Sequence, residues 1–167
     1  LIENGIEVRV FDPAVDAKAK FDAVLANADR AYASLTNAPR VAKAAVSWHA
    51  SAADAAEGSQ LIIESVPERP DIKRVVYAEI ETSAASDAII TSSTSGIMPS
   101  ELQAEMVHPE RLMVAHPFNP VYLLPLVELV AGNQTDTKYI EWGKTFFAGI
   151  GMHPLHCRVE IEGFLSD

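Results

Sequence analysis

Short apolar runs of four to six residues alternate along the chain with longer stretches in which apolar positions recur every three or four residues. The first pattern suits strands and the second suits amphipathic helices. Ile6 to Phe11 reads as a strand introduced by Gly5. Asp16 to about Ala38 reads as a helix with Phe21, Val24, Leu25, Ala28, Tyr32 and Leu35 on its buried side, and Pro39 sits just past its end. A strand at Val46 to Trp48 precedes a small helix at Ala52 to Glu57, which Gly58 closes, and Gln60 to Glu64 is the next strand. The following helix starts near Pro70, where the missing proline N–H would have no partner anyway. Its spacing presents Ile72, Val75, Val76 and Ile80 on one face. Ala88 to Thr91, Leu112 to His116, Leu126 to Val130 and Met152 to His156 read as strands, with helices at Pro99 to Met106 and Thr135 to Gly149.

This alternation predicts an α/β fold with a doubly wound, mainly parallel sheet of the Rossmann type. Open sheets of that kind hold ligands at the carboxyl ends of their strands. Polar residues gather at those ends: Asp12, Glu64 to Arg69, Ser92 to Gly96, and His116 to Asn119.

Both termini carry further expectations. Leu1-Ile2-Glu3-Asn4-Gly5 has the pattern of a helix's last turn and glycine stop, which predicts a strand and a glycine-rich turn upstream. No G-x-G-x-x-G occurs within these residues. Residues 1–159 then read as a Rossmann-type domain incomplete at its start, and 160–167 as the beginning of a helical domain. Without the upstream strand, the one at Ile6 to Phe11 is expected to lack a neighbour.

Composition narrows the function classes. Lys plus Arg total 13 against 23 Asp plus Glu, a net charge of −10. That balance argues against nucleic-acid binding, which depends on cations neutralising phosphates. No run approaches the roughly 18 apolar residues of a membrane span, and no secretory leader is visible, so a cytoplasmic location is expected. One cysteine, Cys157, excludes an internal disulfide, and His49, His108, His153 and His156 show no metal-ligand spacing, so no metal site is expected. Cys157 and Trp142 read as a packed thiol and a core indole.

Three groups carry candidate chemistry. Asp12 directly follows a strand, where an acidic residue accepts hydrogen bonds from a dinucleotide's ribose; taken alone, the residue reads first as a plain turn before Pro13. His116-Pro117-Phe118-Asn119-Pro120 ends a strand and turns, which brings Glu128 back beside His116. A carboxylate that orients an imidazole leaves its other nitrogen free as a base. The bland alternative is a strand-end histidine and a surface glutamate, although a carboxylate inside Leu126-Val127-Glu128-Leu129-Val130 wants a partner. The loop Ser92-Ser93-Thr94-Ser95-Gly96 offers hydroxyls for a substrate oxygen, or serves as a polar connection ending in a helix cap. The elbow of serine hydrolases, Gly-x-Ser-x-Gly, is absent.

At these motifs the sequence resembles the 3-hydroxyacyl-CoA dehydrogenase superfamily. The resemblance includes Glu64-Ser65-Val66-Pro67-Glu68-Arg69, the serine-rich loop, His116 through Glu128, Gly151-Met152-His153-Pro154-Leu155 and Glu160-Ile161-Glu162-Gly163-Phe164. It implies an NAD-dependent dehydrogenase in which His116 is the catalytic base and Glu128 orients it. It also implies that Ser95 touches substrate and cofactor, that Asn119 belongs to the active site, and that Asp12, Glu68 and Lys73 contact NAD. Ser93 and Pro117 stand where the acyl-CoA branch usually has Asn and Phe. Those departures point to a small free 3-hydroxy acid, L-carnitine first among them, with the gulonate/lambda-crystallin branch as the runner-up. The resemblance further implies a homodimer formed through a C-terminal helical part. A non-catalytic relative would be expected to have lost the His/Glu pair, and here both residues are present.

Overall fold

The computed structural model describes residues 1–35, 41–161 and 163–164. Its strands are β1 (Val8–Val10), β2 (Val46–Trp48), β3 (Leu61–Glu64), β4 (Ile89–Ser92), β5 (Leu112–Pro117), β6 (Leu126–Ala131) and β7 (His153–Cys157). Its helices are α1 (Ala17–Tyr32), α2 (Ala52–Ala56), α3 (Pro70–Glu81), α4 (Pro99–Gln103) and α5 (Thr137–Gly149). Helix α1 ends earlier than its periodicity suggests, and Ala38 and Pro39 lie outside the described residues. Ile2–Asn4 form one 3₁₀ turn closed by Gly5 at φ 74°, a left-handed conformation that suits glycine.

The strands divide between two sheets. β3-β4-β5-β6-β7 form a five-stranded sheet in that order, parallel at every pairing except β5–β6. β1 and β2 pair in parallel with each other and, among the described residues, with no strand of the larger sheet. They join the rest through α2, whose N-terminal amides at Ala52 and Ala53 donate to Glu79 on α3. This is a Rossmann-like α/β arrangement, mainly parallel as the pattern of elements predicts.

Pleating fills the two faces of the large sheet differently, because successive side chains alternate between them. Ile90, Leu112, Val114 and Val130 pack with Ala52, Tyr77, Ile80 and Leu102 of α2, α3 and α4. On the other face Ile89 and Met113 meet Tyr139 and Ile140 of α5, and Ala115 and Leu129 meet Phe147. Gly143 allows α5 this close: an added Cβ would sit 2.8 Å from the Met113 methyl. The alternation has a functional consequence. Two residues past Val114 and four past Leu112, His116 stands on the face of α2 to α4, and so do Glu128 and Ser92.

Helix α3 departs from the sequence reading. Its buried line is Lys73, Tyr77 and Ile80, whereas Val75 is 68% exposed. Val76 and Ile80 face the core as the pattern predicts, but the inward line passes off Val75 because two polar-tipped side chains go inside, where a carboxylate receives them. Trp142 is only half-buried and stacks on Phe146, centroids 4.7 Å apart. Cys157 is buried, and desolvation pushes its thiol pKa up. No helix among the described residues is long and apolar enough to cross a membrane.

Candidate active site

Strands β5 and β6 run antiparallel with His116 directly opposite Glu128. Directly opposed residues hold their side chains within reach on one face. His116 Nδ1 lies 3.0 Å from Glu128 Oε2. The glutamate side chain is 1% exposed and the imidazole 16%, so the pair runs from the interior to the surface of a cavity. An ionised carboxylate only accepts hydrogen bonds, so this contact suits the tautomer with its hydrogen on Nδ1 and a lone pair on Nε2. Phe118 and Phe164 flank the ring, with centroids 5.9 and 5.8 Å away.

The cavity measures about 530 Å³ and is lined by His116, Asn119, Ser95, Ser93, Ser65 and Val66, among others. It lies where β3, β4 and β5 end, which in an open α/β sheet is the expected place for a ligand. Ser95 and Asn119 are exposed to it, and Ser65 Oγ donates to Ser93 Oγ at 3.1 Å. Hydroxyls, an amide and an imidazole on one wall can hold an alcohol oxygen and take its proton.

The remaining predicted positions lie around this cavity in different ways. Asp12 is exposed just after β1, in the smaller sheet, and does not line the cavity; its Oδ1 accepts from the Ala14 amide at 2.8 Å. Glu68 borders the serine-rich loop and accepts from the Ser95 and Gly96 amides at 3.2 and 3.1 Å, and from the Thr94 hydroxyl. Burial by itself would raise the Glu68 pKa, but the Thr94 hydroxyl, the Gly96 amide and the Lys73 charge outweigh it and hold the carboxyl below its ordinary range. Lys73 is 1% exposed, and its ammonium donates to Glu64 Oε1 at 2.8 Å. Any part it plays toward a ligand therefore passes through its neighbours.

Tyr77 escapes the sequence reading, and Glu64 and Ser92 enter it only as polar strand-end and loop residues; the three form a buried cluster with Lys73 under the loop. The available signal is the spacing of Lys73 and Tyr77, one helical turn apart. Glu64 at the end of the apolar run Leu61-Ile62-Ile63 is the second clue. Phe164, 2% exposed, also goes unnoticed because its place near His116 depends on the chain returning from β7.

Fold and site together define a dinucleotide-binding α/β domain with a histidine–carboxylate pair at its ligand edge. Residues 1–161 match the 3-hydroxyacyl-CoA dehydrogenase NAD-binding domain, and the chain belongs to that family. It is 50% identical over 163 residues to an L-carnitine dehydrogenase/betainyl-CoA thioesterase of Rhizobium sp, covering 98% of this chain and 33% of that protein. An L-carnitine dehydrogenase of Mesorhizobium japonicum is 47% identical over 168 residues, covering all of this chain and 46% of that one. The chain therefore spans a third to a half of these curated relatives. Among solved structures, that of 5-formyl-3-hydroxy-2-methylpyridine 4-carboxylic acid 5-dehydrogenase, an NAD⁺-dependent dismutase, superposes with a TM-score of 0.91 at 31% identity. The match covers 98% of this chain and 53% of that one.

Proposed function

We propose that the full-length protein oxidises the 3-hydroxyl of L-carnitine to 3-dehydrocarnitine with NAD, using this chain's cavity as the reacting edge. The observation that carries the reading is His116, backed by Glu128 at 3.0 Å, opening onto the cavity that Ser95 and Asn119 also line. The dehydrogenases named above supply the substrate. Residues present fit the cofactor: exposed hydroxyl and amide groups at the carboxyl ends of parallel strands match a polar, neutral nicotinamide ribose, and Asp12 follows β1 where an adenosine ribose is gripped in this class of sheet. Ser95, Asn119 and Asp12, with Glu68 and Lys73 behind the loop, are the groups assigned to holding it. When bound, NAD supplies the hydride acceptor.

The chain's own residues do the rest. Nε2 of His116 removes the hydroxyl proton as the C3–H bond breaks. Glu128 stabilises the imidazolium so formed and keeps Nε2 aimed at the cavity. Ser95 and Asn119 hold the substrate oxygen in line. General-base assistance is worth roughly 10²–10⁴-fold. His116→Ala in the full-length protein is therefore expected to lose at least about 10²-fold in kcat while NAD still binds. NAD reduction measured with L-carnitine, gulonate and 3-hydroxybutyryl-CoA checks the substrate. Turnover with carnitine dominates if the reading holds, and dominance of either other compound, or a near-normal His116→Ala, overturns it.

A further inference from the structure

Beneath the hydroxyl loop lies a buried ionic cluster that proton removal does not itself use. Glu64 ends β3 with its side chain fully closed off from solvent. One carboxylate oxygen accepts from Lys73 Nζ at 2.8 Å and the Val66 amide at 2.7 Å. The other accepts from the Tyr77 hydroxyl at 2.6 Å and the Ser92 hydroxyl at 2.7 Å. A carboxylate offers about four lone-pair sites, so this one is saturated, as a charge buried so deeply has to be. Lys73 and Tyr77 reach it together because they lie one turn apart on α3.

The cluster extends to the loop by two routes. Ser92 Oγ, while donating to Glu64, accepts from the Thr94 amide at 3.3 Å. Lys73 Nζ also lies 3.5 Å from Glu68 Oε2, and Glu68 grips the Ser95 and Gly96 amides and the Thr94 hydroxyl with its other oxygen. The Ile97 amide is taken by Thr94 Oγ1 at 3.0 Å. Every amide from Thr94 to Ile97 is thus bound within the chain. The loop meets the cavity with side-chain hydroxyls, and its height above the sheet is fixed by two carboxylates that share one ammonium.

We propose that Lys73, Glu64 and Glu68 form a positioning network that sets the place of Ser95 at the cavity, with Lys73 coupling the buried carboxylate to the one that holds the loop. This deepens the dehydrogenase reading and rests on it for the use made of Ser95; the order of the loop does not depend on that reading. Displacing a contact group by about 1 Å costs on the order of 10²-fold in rate. A network acting through position therefore shows in kcat more than in KM.

Amide hydrogen exchange at Ser95 and Gly96, together with kcat, KM and NAD titration, tests this on the full-length protein. Lys73→Met and Glu68→Ala are expected to speed exchange at these two amides by about 10-fold or more, which corresponds to losing a hydrogen bond's worth of local protection. Both should lower kcat on the order of 10²-fold with a smaller change in KM. Glu68→Gln keeps an acceptor oxygen for the two amides and should restore their protection, whereas Glu68→Met, which fills similar space without that acceptor, should not. Glu68 is 42% exposed, so its variants remain informative should Lys73→Met fail to fold. Unchanged exchange at Ser95 and Gly96 in folded Glu68→Ala overturns the network. Faster exchange with unaltered turnover upholds it and removes Ser95 from the proposed reaction instead.

Discussion

Two buried glutamates stand on the same face of one sheet, and they are built for opposite purposes. Glu64 is enclosed by Lys73, Tyr77, Ser92 and the Val66 amide, all beneath the surface. Glu128 is equally buried, but it meets an imidazole whose far edge opens onto the cavity. A carboxylate with every lone pair committed to interior donors holds geometry. A carboxylate that backs a partially accessible histidine can respond when that histidine gains a proton. Burial alone distinguishes neither role; what matters is whether the partner has a second atom facing solvent or ligand.

The sharpest way to break the contrast is to remove each carboxylate in turn. Glu64→Ala leaves the Lys73 ammonium buried without its closest counter-charge, and breaking such a pair costs about 3–5 kcal/mol. Urea unfolding should show this loss as a large drop in midpoint, and a stability within about 1 kcal/mol of the parent would contradict the assignment of Glu64 as structural. Glu128→Gln keeps the shape of the side chain but removes the charge that favours imidazolium. Steady-state kinetics should find kcat reduced by roughly 10²–10⁴-fold, with a smaller effect on unfolding than Glu64→Ala has. Equal stability losses in the two variants would erase the distinction.

The smallest effect sharpens the comparison at the loop. Folding holds the Glu68 carboxyl below its ordinary value of 4.5 through the Thr94 hydroxyl, the Gly96 amide and Lys73, against the opposing effect of burial. A depressed carboxyl pKa adds stability above the unfolded value, and the gain disappears as pH falls through the lower folded value. Glu68→Gln should therefore be less stable than the parent near neutrality by no more than about 1 kcal/mol, since solvent screens so exposed a group. The gap should close well below pH 4.5, and a gap that widens in acid would mean the sign is wrong.

The sequence reveals these two sites unequally. The pairing of His116 with Glu128 is legible because strand, turn and returning strand are contiguous, and a carboxylate interrupts an otherwise apolar run. β2 is found at Val46–Trp48, as its pattern predicts, and most other boundaries move by one or two residues. The Glu64 cluster is hidden because its members come from β3, α3 and β4, 9 to 28 residues apart. The apolar pattern of α3 leaves Lys73 and Tyr77 off its inward face. It therefore turns α3 toward Val75, which is in fact exposed. The split into two sheets is likewise invisible locally, since the residues of β1 look like those of any other parallel strand.

The antiparallel turn of β6 has one more consequence, for tolerance to insertions and deletions. Side chains on a strand change face at every residue, so a slip by a single position would carry the carboxylate of Glu128 through the sheet to the side of α5. Residues added or lost between Tyr122 and Pro125, beyond Asn119 and Val121 of the cavity wall, would leave that parity intact. Loss of Val127, with the register before it held, would reverse the parity of the strand and leave Leu129 where the imidazole needs an acceptor.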